Sequence, residues 1–105
     1  MSGVWIVLEE KEGRFGRISW EAVAAGQKLG AQLGVPVNAI LPGWIHTDLT
    51  ASASAERYNF IKARIPHGRW GEPDELAGAA VFLASRASDY ITGIALPVDG
   101  GYTSM

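Results

Sequence analysis

Three short apolar runs, separated by longer segments of mixed polarity, organise the chain. Each run is continuous and rich in β-branched residues, which is typical of a strand buried on both faces of a parallel sheet. The predicted strands cover residues 4–8, 37–41 and 94–98. Because Pro97 cannot donate a hydrogen bond to a neighbouring strand, the third strand is predicted to lie at a sheet edge or to contain a bulge.

A helix is predicted between the first two strands. Residues 9–16 are polar, contain two glycines and are predicted to form a loop. Ser19 is a suitable N-cap, since its hydroxyl can accept an N–H of the first turn, and Gly34 is a typical residue to follow the last turn. The predicted helix therefore covers residues 19–33. Its apolar stripe is predicted to consist of Ala22, Ala25, Leu29 and Leu33.

Two further helices are predicted between the second and third strands. After a loop at 44–50, residues 52–65 form the first of them, and Pro66 ends it. Pro73 precedes two acidic residues and is a typical first helical residue, so the second helix is predicted over 73–84. The first of these helices places three side chains on one face: Tyr58, Ile61 and Ile65.

The order strand, helix, strand, helix, strand predicts one α/β domain over residues 1–105. We expect a βαβαβ unit with a three-stranded parallel sheet, two crossover helices and an extra helix at 52–65. Right-handed crossovers are nearly obligatory, so strands in sequential order would place both crossover helices on the same face of the sheet. The opposite face would then need a cover, supplied in part by the extra helix or fully by a second copy of the chain.

Composition and charge exclude several classes of partner and site. The formal net charge of −2 provides no basic surface for nucleic acid, and the chain contains no cysteine for a disulfide or a Cys-based metal site. No apolar run reaches the roughly 18 residues that a membrane span needs, and the amino terminus lacks the basic start of a signal peptide. We therefore expect a cytoplasmic protein that binds neither nucleic acid nor membrane.

Ordered motifs in residues 35–105 resemble the C-terminal region of short-chain dehydrogenases/reductases. They are Val37-Asn38-Ala39-Ile40 with Pro42-Gly43, Thr47, Arg69-Trp70-Gly71-Glu72-Pro73, Tyr90-Ile91-Thr92-Gly93 and Asp99-Gly100-Gly101. The resemblance implies a small Rossmann-like fold and a subunit interface formed by the final helix and strand. It also implies that Ile45 and Thr47 occupy positions that contact the nicotinamide and phosphate side of a dinucleotide.

Residues 1–34 resemble a different family, the α-subunit of electron transfer flavoprotein. This resemblance rests on the run Val4-Trp5-Ile6-Val7-Leu8-Glu9, the polar loop after it, and Ser19. The two resemblances meet at 34–37. In short-chain dehydrogenases/reductases the helix before this point carries a catalytic Tyr-x-x-x-Lys, whereas residues 19–28 contain no tyrosine. We therefore predict an engineered or combinatorial chimera, with a natural fusion or a gene fragment as the alternative.

Two patterns that resemble catalytic or cofactor motifs are assigned to packing. A Tyr-x-x-x-Lys spacing occurs at Tyr58 and Lys62, after the Pro-Gly strand, and we expect Tyr58 to pack and Lys62 to be solvated. Glycines at every fourth position of the first helix allow close packing, but they do not form the Gly-x-Gly-x-x-Gly turn that binds phosphate. These glycines are Gly26, Gly30 and Gly34.

The predicted cofactor and metal content follows from the missing fingerprint and the sparse ligands. We expect no bound cofactor. The four family positions after the second strand would then be vestigial: Pro42, Gly43, Ile45 and Thr47. His46 and Asp48, with His67 further along the chain, are too few for a metal site, which needs three or four converging ligands. No catalytic residue is predicted.

The four tryptophans divide into two predicted groups. Trp5 is predicted to lie in the core. Because Trp20, Trp44 and Trp70 are flanked by polar residues, they are predicted to be partly exposed or to lie at an interface.

The predicted function is that of a self-associating α/β domain that is not an enzyme. We expect a homodimer, formed through the exposed sheet face or through the final helix and strand. The alternative hypothesis is an oxidoreductase-related fragment that binds NAD(P) or another nucleotide weakly. Thr47 and the Pro-Gly loop motivate this alternative.

Overall fold

The computed structural model describes residues 3–11, 14–48 and 50–104. Its strands are β1 (Val4–Val7), β2 (Glu10–Lys11), β3 (Arg14–Phe15), β4 (Val37–Pro42) and β5 (Ala95–Val98). Its α-helices are α1 (Arg17–Leu33), α2 (Ala55–Ala63) and α3 (Ala77–Ala84). Short 3₁₀ helices cover Thr50–Ser52, Pro73–Leu76, Arg86–Ser88 and Tyr102–Ser104. The helix predicted over 73–84 is therefore present, with a 3₁₀ first turn.

The main sheet has three parallel strands in the order β1, β4, β5. The central strand is covered on both faces, since Asn38, Ala39 and Ile40 are all buried. Strand β5 pairs with β4 alone, so Pro97 lies in an edge strand. The predicted α/β class, the parallel sheet and the edge position of the third strand are confirmed.

The segment between β1 and α1 differs from the predicted loop. Glu10–Lys11 and Arg14–Phe15 form a short antiparallel pair, and the two residues that join them lie outside the described ranges. The Phe15 ring packs edge-on against Trp20, with 5.6 Å between ring centroids. This segment therefore adds a small second sheet beside the start of α1.

Helix α1 begins earlier than predicted because its N-cap is Gly16, not Ser19. The Ser19 side chain is buried within the first turn. Its hydroxyl accepts the Glu9 N–H and donates to the Glu9 carbonyl, each at 3.0 Å. Ser19 thus ties the end of β1 to the helix instead of capping it. The helix ends as predicted at Gly34, which has a left-handed φ of 66°.

Glycines, not aliphatic side chains, form the face of α1 that contacts the sheet. Gly26 and Gly30 are buried, whereas Leu29 and Leu33 of the predicted apolar stripe are about half exposed. A Cβ at Gly30 would collide with Cγ2 of Val37 in β4. The prediction of the stripe is wrong, because the helix backbone itself approaches the strands. The packing role predicted for Gly26 and Gly30 is confirmed.

Helix α3 lies on the face of the sheet opposite α1. Both helices contact β1 and β4. Asn38 and Ile40 alternate with Val37, which faces α1, so they point away from α1, and yet both are buried. The prediction of a shared face is therefore wrong. The strands follow one another in sequence order across the sheet, and the two connecting helices lie on opposite faces. The two crossovers therefore have opposite hands, and one of them departs from the right-handed rule.

The cover supplied by α3 is incomplete at β1. Trp5 is 39% exposed and Val7 is 53% exposed. The prediction of Trp5 as a core residue is wrong, because its strand lies at the edge of this sheet and α3 spans only eight residues.

A second core lies beside the sheet, around the segment that follows β4. Ile61, Ile65 and Trp70 are buried together there. Helix α2 is shorter than the helix predicted over 52–65 and ends before Ile65, but the predicted apolar face packs in this core. Three partly buried aromatic residues pack against them: Trp44, Tyr58 and Tyr102. The prediction of an exposed Trp70 is wrong, since its indole is 2% exposed. Among the residues that the structure describes, no helix is long and apolar enough to cross a membrane.

Candidate functional site

The four family positions predicted from the sequence lie together in residues 42–48, named here the edge loop, at the carboxyl end of β4. Pro42 is the last residue of the strand. The Gly43 N–H donates to the Val98 carbonyl at 3.0 Å, which extends the contact between β4 and β5. A Cβ at Gly43 would lie 2.5 Å from Cβ of Asp99. Glycine is therefore required where the two strands end.

A pair of backbone hydrogen bonds fixes the middle of the edge loop. His46 N–H donates to the Gly71 carbonyl and Gly71 N–H donates to the Trp44 carbonyl, both at 2.9 Å. These bonds form an isolated parallel bridge between Ile45 and Gly71. A Cβ at Gly71 would lie 2.8 Å from Cδ1 of Ile45, so a larger residue here would require the end of the Ile45 side chain to move.

The far end of the edge loop is held by Thr50. The Thr47 N–H donates to the Thr50 hydroxyl oxygen at 2.7 Å, and that hydroxyl lies 3.0 Å from the Ile45 carbonyl. The Thr47 side chain is exposed, with its hydroxyl 3.3 Å from the Thr50 hydroxyl. The backbone of Thr47 is thus fixed, its hydroxyl accepts the Thr50 N–H at 3.3 Å, and its exposed side chain is within reach of a ligand.

His46 joins the edge loop to two other segments. Its Nδ1 lies 2.8 Å from Glu72 Oε1, and its Nε2 lies 3.0 Å from the Tyr58 hydroxyl on α2. The rings of His46 and Tyr58 are nearly parallel to Trp70, at centroid distances of 5.6 and 4.9 Å. A carboxylate, an imidazole and a phenol are therefore arranged in one hydrogen-bonded row over a buried indole.

A cavity of about 180 Å³ opens beside the edge loop, where β4 and β5 end. Its lining combines an indole, two aliphatic side chains, two glycines and four ionisable groups: Trp44, Ile45, His67, Arg69, Gly71, Glu75, Val98, Asp99 and Gly100. Two of the ionisable groups neutralise each other, since the Arg69 guanidinium meets both oxygens of Glu75 at 2.7 and 2.8 Å.

The two acids of this cavity are kept ionised by their hydrogen bonds. The Arg69 side chain and the Glu72 N–H lower the pKa of Glu75 from 4.5 to about 2. Partial burial raises the pKa of Asp99, but hydrogen bonds from Thr103 and from the backbone N–H groups of Gly101 and Tyr102 outweigh this effect and leave it below its ordinary value. Neither acid is poised as a proton donor near neutral pH.

The two residues of the Tyr-x-x-x-Lys spacing have different surroundings. Tyr58 packs against Trp70 and Lys62 is exposed, which agrees with the packed and solvated positions predicted for them. In residues 3–11, 14–48 and 50–104 no three His, Asp or Glu side chains form a group that could hold a metal ion.

Sequence reasoning did not identify Glu72 or the ion pair between Arg69 and Glu75 as parts of the site. All three lie within a stretch that was recognised only as a family motif. The available signal is the clustering of charged residues on both sides of Trp70-Gly71 in the sequence.

The chain matches known proteins along most of its length. A family model described as enoyl-(acyl carrier protein) reductase matches residues 22–103. The 2-dehydro-3-deoxy-D-gluconate 5-dehydrogenase of Bacillus subtilis (strain 168) is 53% identical over 76 residues, which are 70% of this chain and 30% of that protein. The acetoacetyl-CoA reductase of Allochromatium vinosum is 39% identical over 99 residues, 87% of this chain and 40% of that protein.

Solved structures agree with these matches. A gluconate 5-dehydrogenase from Burkholderia cenocepacia J2315, in complex with NADP and tartrate, superposes with a TM-score of 0.75 at 31% identity and covers 98% of this chain and 46% of its own. A short-chain type dehydrogenase/reductase from Mycobacterium marinum gives a TM-score of 0.72 at 29% identity, with 98% and 46% covered. The chain thus spans less than half the length of the relatives named here.

These matches overturn the predicted chimera. The family model runs through residues 34–37, where the join was predicted, and the solved structures match 98% of the chain, which includes the part assigned to a flavoprotein. That assignment failed because any strand, loop and helix share such a pattern. The matched relatives are dehydrogenases and reductases, so the predictions of a non-catalytic domain and of a protein that is not an enzyme are wrong as well.

Proposed function

Since the chain belongs to the short-chain dehydrogenase/reductase family, we propose that it is part of an NAD(P)-dependent oxidoreductase and forms the nicotinamide side of the cofactor site. The observation that carries this proposal is the edge loop, residues 42–48. It lies at the carboxyl ends of parallel strands, where open α/β sheets bind nucleotides. Hydrogen bonds to three neighbouring segments hold it in place.

The edge loop suits the nicotinamide end of a dinucleotide. Ile45 and Thr47 match family positions that contact this end, and the exposed Thr47 side chain stands on a fixed backbone. When bound, the nicotinamide accepts or supplies the hydride, and the protein contributes its orientation. We assign Pro42 and Gly43 to shaping the loop, and Ile45 and Thr47 to contact with the cofactor.

The sequence contains no glycine-rich motif that would bind the phosphates of the cofactor. The sequence has no Gly-x-Gly-x-x-Gly pattern, and Gly26 and Gly30 are occupied by contact with the sheet. The exposed Glu9, which follows β1, would repel a phosphate. We therefore infer weak dinucleotide binding by the chain, limited to the contacts of the edge loop.

A sugar acid is the proposed substrate class. The relative with the higher identity is named for 2-dehydro-3-deoxy-D-gluconate, at 53%, and the one with the lower identity for acetoacetyl-CoA, at 39%. The edge of the site also carries a cation suited to a carboxylate, since the Arg57 guanidinium lies 5.9 Å from the centre of the Trp44 ring. A sugar acid supplies both that carboxylate and a hydroxyl group to oxidise.

Titration with NADPH and NADH, followed by tryptophan fluorescence, tests the cofactor proposal. Trp44 lies in the edge loop, so a bound nicotinamide should change its emission in a saturable way. Thr47→Ala should weaken binding about 2- to 10-fold, as expected for one lost hydrogen bond. The matched control is Thr92→Ala, since Thr92 bonds the Val37 N–H at the opposite end of β4. No saturable change up to millimolar ligand, or equal effects of both variants, would refute the proposal.

The substrate class is tested by adding gluconate with NADP⁺, which would accept hydride from its hydroxyl, or acetoacetyl-CoA with NADPH, which would supply hydride to its ketone. A sugar-acid site predicts that gluconate shifts the cofactor titration to lower concentration and that acetoacetyl-CoA does not. The reverse result would assign the site to acyl substrates.

We also propose that the chain forms a homodimer through the final helix and strand or through the open face of the sheet. Val81 on α3 and Val7 on β1 are largely exposed, and Ile94 before β5 is 38% exposed. Apolar surface of this kind is typical of subunit contacts. Light scattering that gives the mass of one chain at high concentration would contradict the proposal.

A further inference from the structure

Three segments of the chain meet at one histidine. His46 belongs to the edge loop, Tyr58 to helix α2, and Glu72 to the segment that leads to α3. The two ring nitrogens of His46 contact one partner each, Glu72 at 2.8 Å and the Tyr58 hydroxyl at 3.0 Å. Besides their hydrogen bonds, the aromatic members share one platform, the buried indole of Trp70.

The partners of the two nitrogens decide where the His46 proton lies. An ionised carboxylate can only accept a hydrogen bond, so Nδ1 must carry the proton that points at Glu72. In a neutral imidazole the other nitrogen is then an acceptor, and the Tyr58 hydroxyl must donate to it. The arrangement therefore selects one of the two neutral tautomers, with the proton on Nδ1.

The platform beneath the row is fixed independently. Trp70 is buried, and its Nε1–H donates to the Tyr58 carbonyl at 3.3 Å. The His46 and Trp70 rings are 8° from parallel, and those of Tyr58 and Trp70 are 13° from parallel. Rotation of either ring out of the row would break both its stacking and its hydrogen bond.

We propose that His46 is a positioning residue that holds helix α2 against the edge loop in a single tautomer, set by Glu72. The relevance of this role to cofactor binding rests on the proposed function. If the edge loop holds the nicotinamide, α2 is the element beside it, and His46 sets the distance between the two. His46 itself contacts neither substrate nor cofactor in this proposal.

Nitrogen NMR on the full chain, labelled at histidine, tests the tautomer directly. At a pH well above the ordinary histidine pKa, His46 should show a protonated Nδ1 and an unprotonated Nε2. The second histidine of the chain, His67, is the internal control, since none of the described residues forms a hydrogen bond with its ring. His67→Gln assigns the two signals. A protonated Nε2 at His46, or an average like that of His67, would overturn the proposal.

Substitutions then separate the tautomer from simple packing. Glu72→Gln keeps the size of the side chain but can donate as well as accept, so both tautomers of His46 should become populated. Tyr58→Phe keeps the ring on Trp70 and removes the hydroxyl. It should increase hydrogen exchange of the α2 backbone amides by about 3- to 10-fold, the range expected for one net hydrogen bond.

A double substitution checks that the two residues act as one unit. His46→Asn retains a donor for Glu72 but loses both the Nε2 acceptor for Tyr58 and the ring that stacks on Trp70, so its effect on exchange in α2 should be at least that of Tyr58→Phe. The double variant should show no more than the effect of His46→Asn alone. Additive effects would mean that the two side chains stabilise α2 separately, and would refute a shared link.

These measurements need no cofactor, so their failure can be told apart from failure of the proposed function. If the fluorescence shows no saturable change on addition of cofactor and Nδ1 of His46 is protonated, the cofactor site alone is refuted. Saturable binding with an unprotonated Nδ1 would refute the positioning role alone. With both intact, His46→Asn should raise the apparent Kd for NADPH, and Thr92→Ala, at the opposite end of β4, should leave it unchanged.

Discussion

The two sides of the molecule use opposite means of packing. On the α1 side, glycines bring the helix backbone onto β1 and β4, and large apolar residues such as Ile18 and Trp20 face outward. On the edge-loop side, buried Ile61, Ile65 and Trp70 are surrounded by aromatic rings and hydrogen bonds. The first contact is close because glycine has no side chain. The second is stabilised by aromatic rings and by hydrogen bonds.

The difference shows where this chain can tolerate change. Where the helix backbone contacts the sheet, a substitution that adds atoms should destabilise the fold, and substitutions on the outer face should have little effect. Where rings and hydrogen bonds form the contact, a substitution that removes side-chain atoms should destabilise the fold. The proposed cofactor loop is attached to the second kind, which suits a site that must hold its geometry to within fractions of an ångström.

Trp70→Ala should have the largest effect, because it removes the platform of the edge-loop side. We expect the free energy of unfolding to fall by about 3–5 kcal/mol, the usual cost of truncating a buried tryptophan. Urea denaturation followed by circular dichroism measures it. Trp70→Phe keeps an aromatic platform and should cost clearly less. Equal losses for the two variants would show that ring stacking does not distinguish this region.

Gly30→Ala should have the next largest effect, on the α1 side. The added methyl meets Val37 in β4, and overpacking of this kind costs about 1–3 kcal/mol. The matched control is Gly78→Ala in α3, where a Cβ meets no atom within 4 Å. That change should stabilise the fold by about 0.4–1 kcal/mol. A neutral Gly30→Ala would mean that the helix can move off the sheet, and would remove the contrast between the two sides.

Glu75→Gln should have the smallest effect, confined to the edge-loop side. Its carboxyl has a folded pKa of about 2, below the ordinary 4.5, because of Arg69 and the Glu72 N–H. A lowered folded pKa stabilises the fold above the ordinary value, and this stabilisation is lost as pH falls from about 4.5 to about 2. The contribution is small because the pair is exposed to solvent.

Thermal unfolding of both proteins at neutral pH and near pH 2 measures this contribution. The wild type should have the slightly higher Tm at neutral pH, and the difference should shrink in acid. A difference that is independent of pH would show that Glu75 acts through packing or capping and not through its charge.

The parts of the fold that depend on local pattern could be predicted from the sequence. The apolar runs predicted the strands, Gly34 predicted the end of α1, and Pro97 predicted an edge strand; all three predictions are confirmed. The edge loop was found from its Pro-Gly and Thr47. Each of these features is fixed by the conformational limits of a few neighbouring residues.

The parts that depend on distant contacts were missed. Ser19 has the chemistry of an N-cap, but its hydroxyl bonds Glu9 across the chain. The leucines of α1 have an apolar pattern, but the sheet meets the glycines between them. Glu72 becomes important only because folding brings His46 within 2.8 Å of it. Local preference cannot identify such partners, since tertiary contacts override it.

The pairing of the strands also governs how the chain must fold. Val4 pairs with Val37, and Ala39 pairs with Ala95, so every strand contact of the main sheet joins residues far apart in the sequence. Closing such long loops costs conformational entropy before any hydrogen bond between the strands forms, and chains with such distant contacts fold slowly. Central strand β4 belongs to both pairings. We therefore expect the docking of β4 to limit the rate at which the main sheet is assembled.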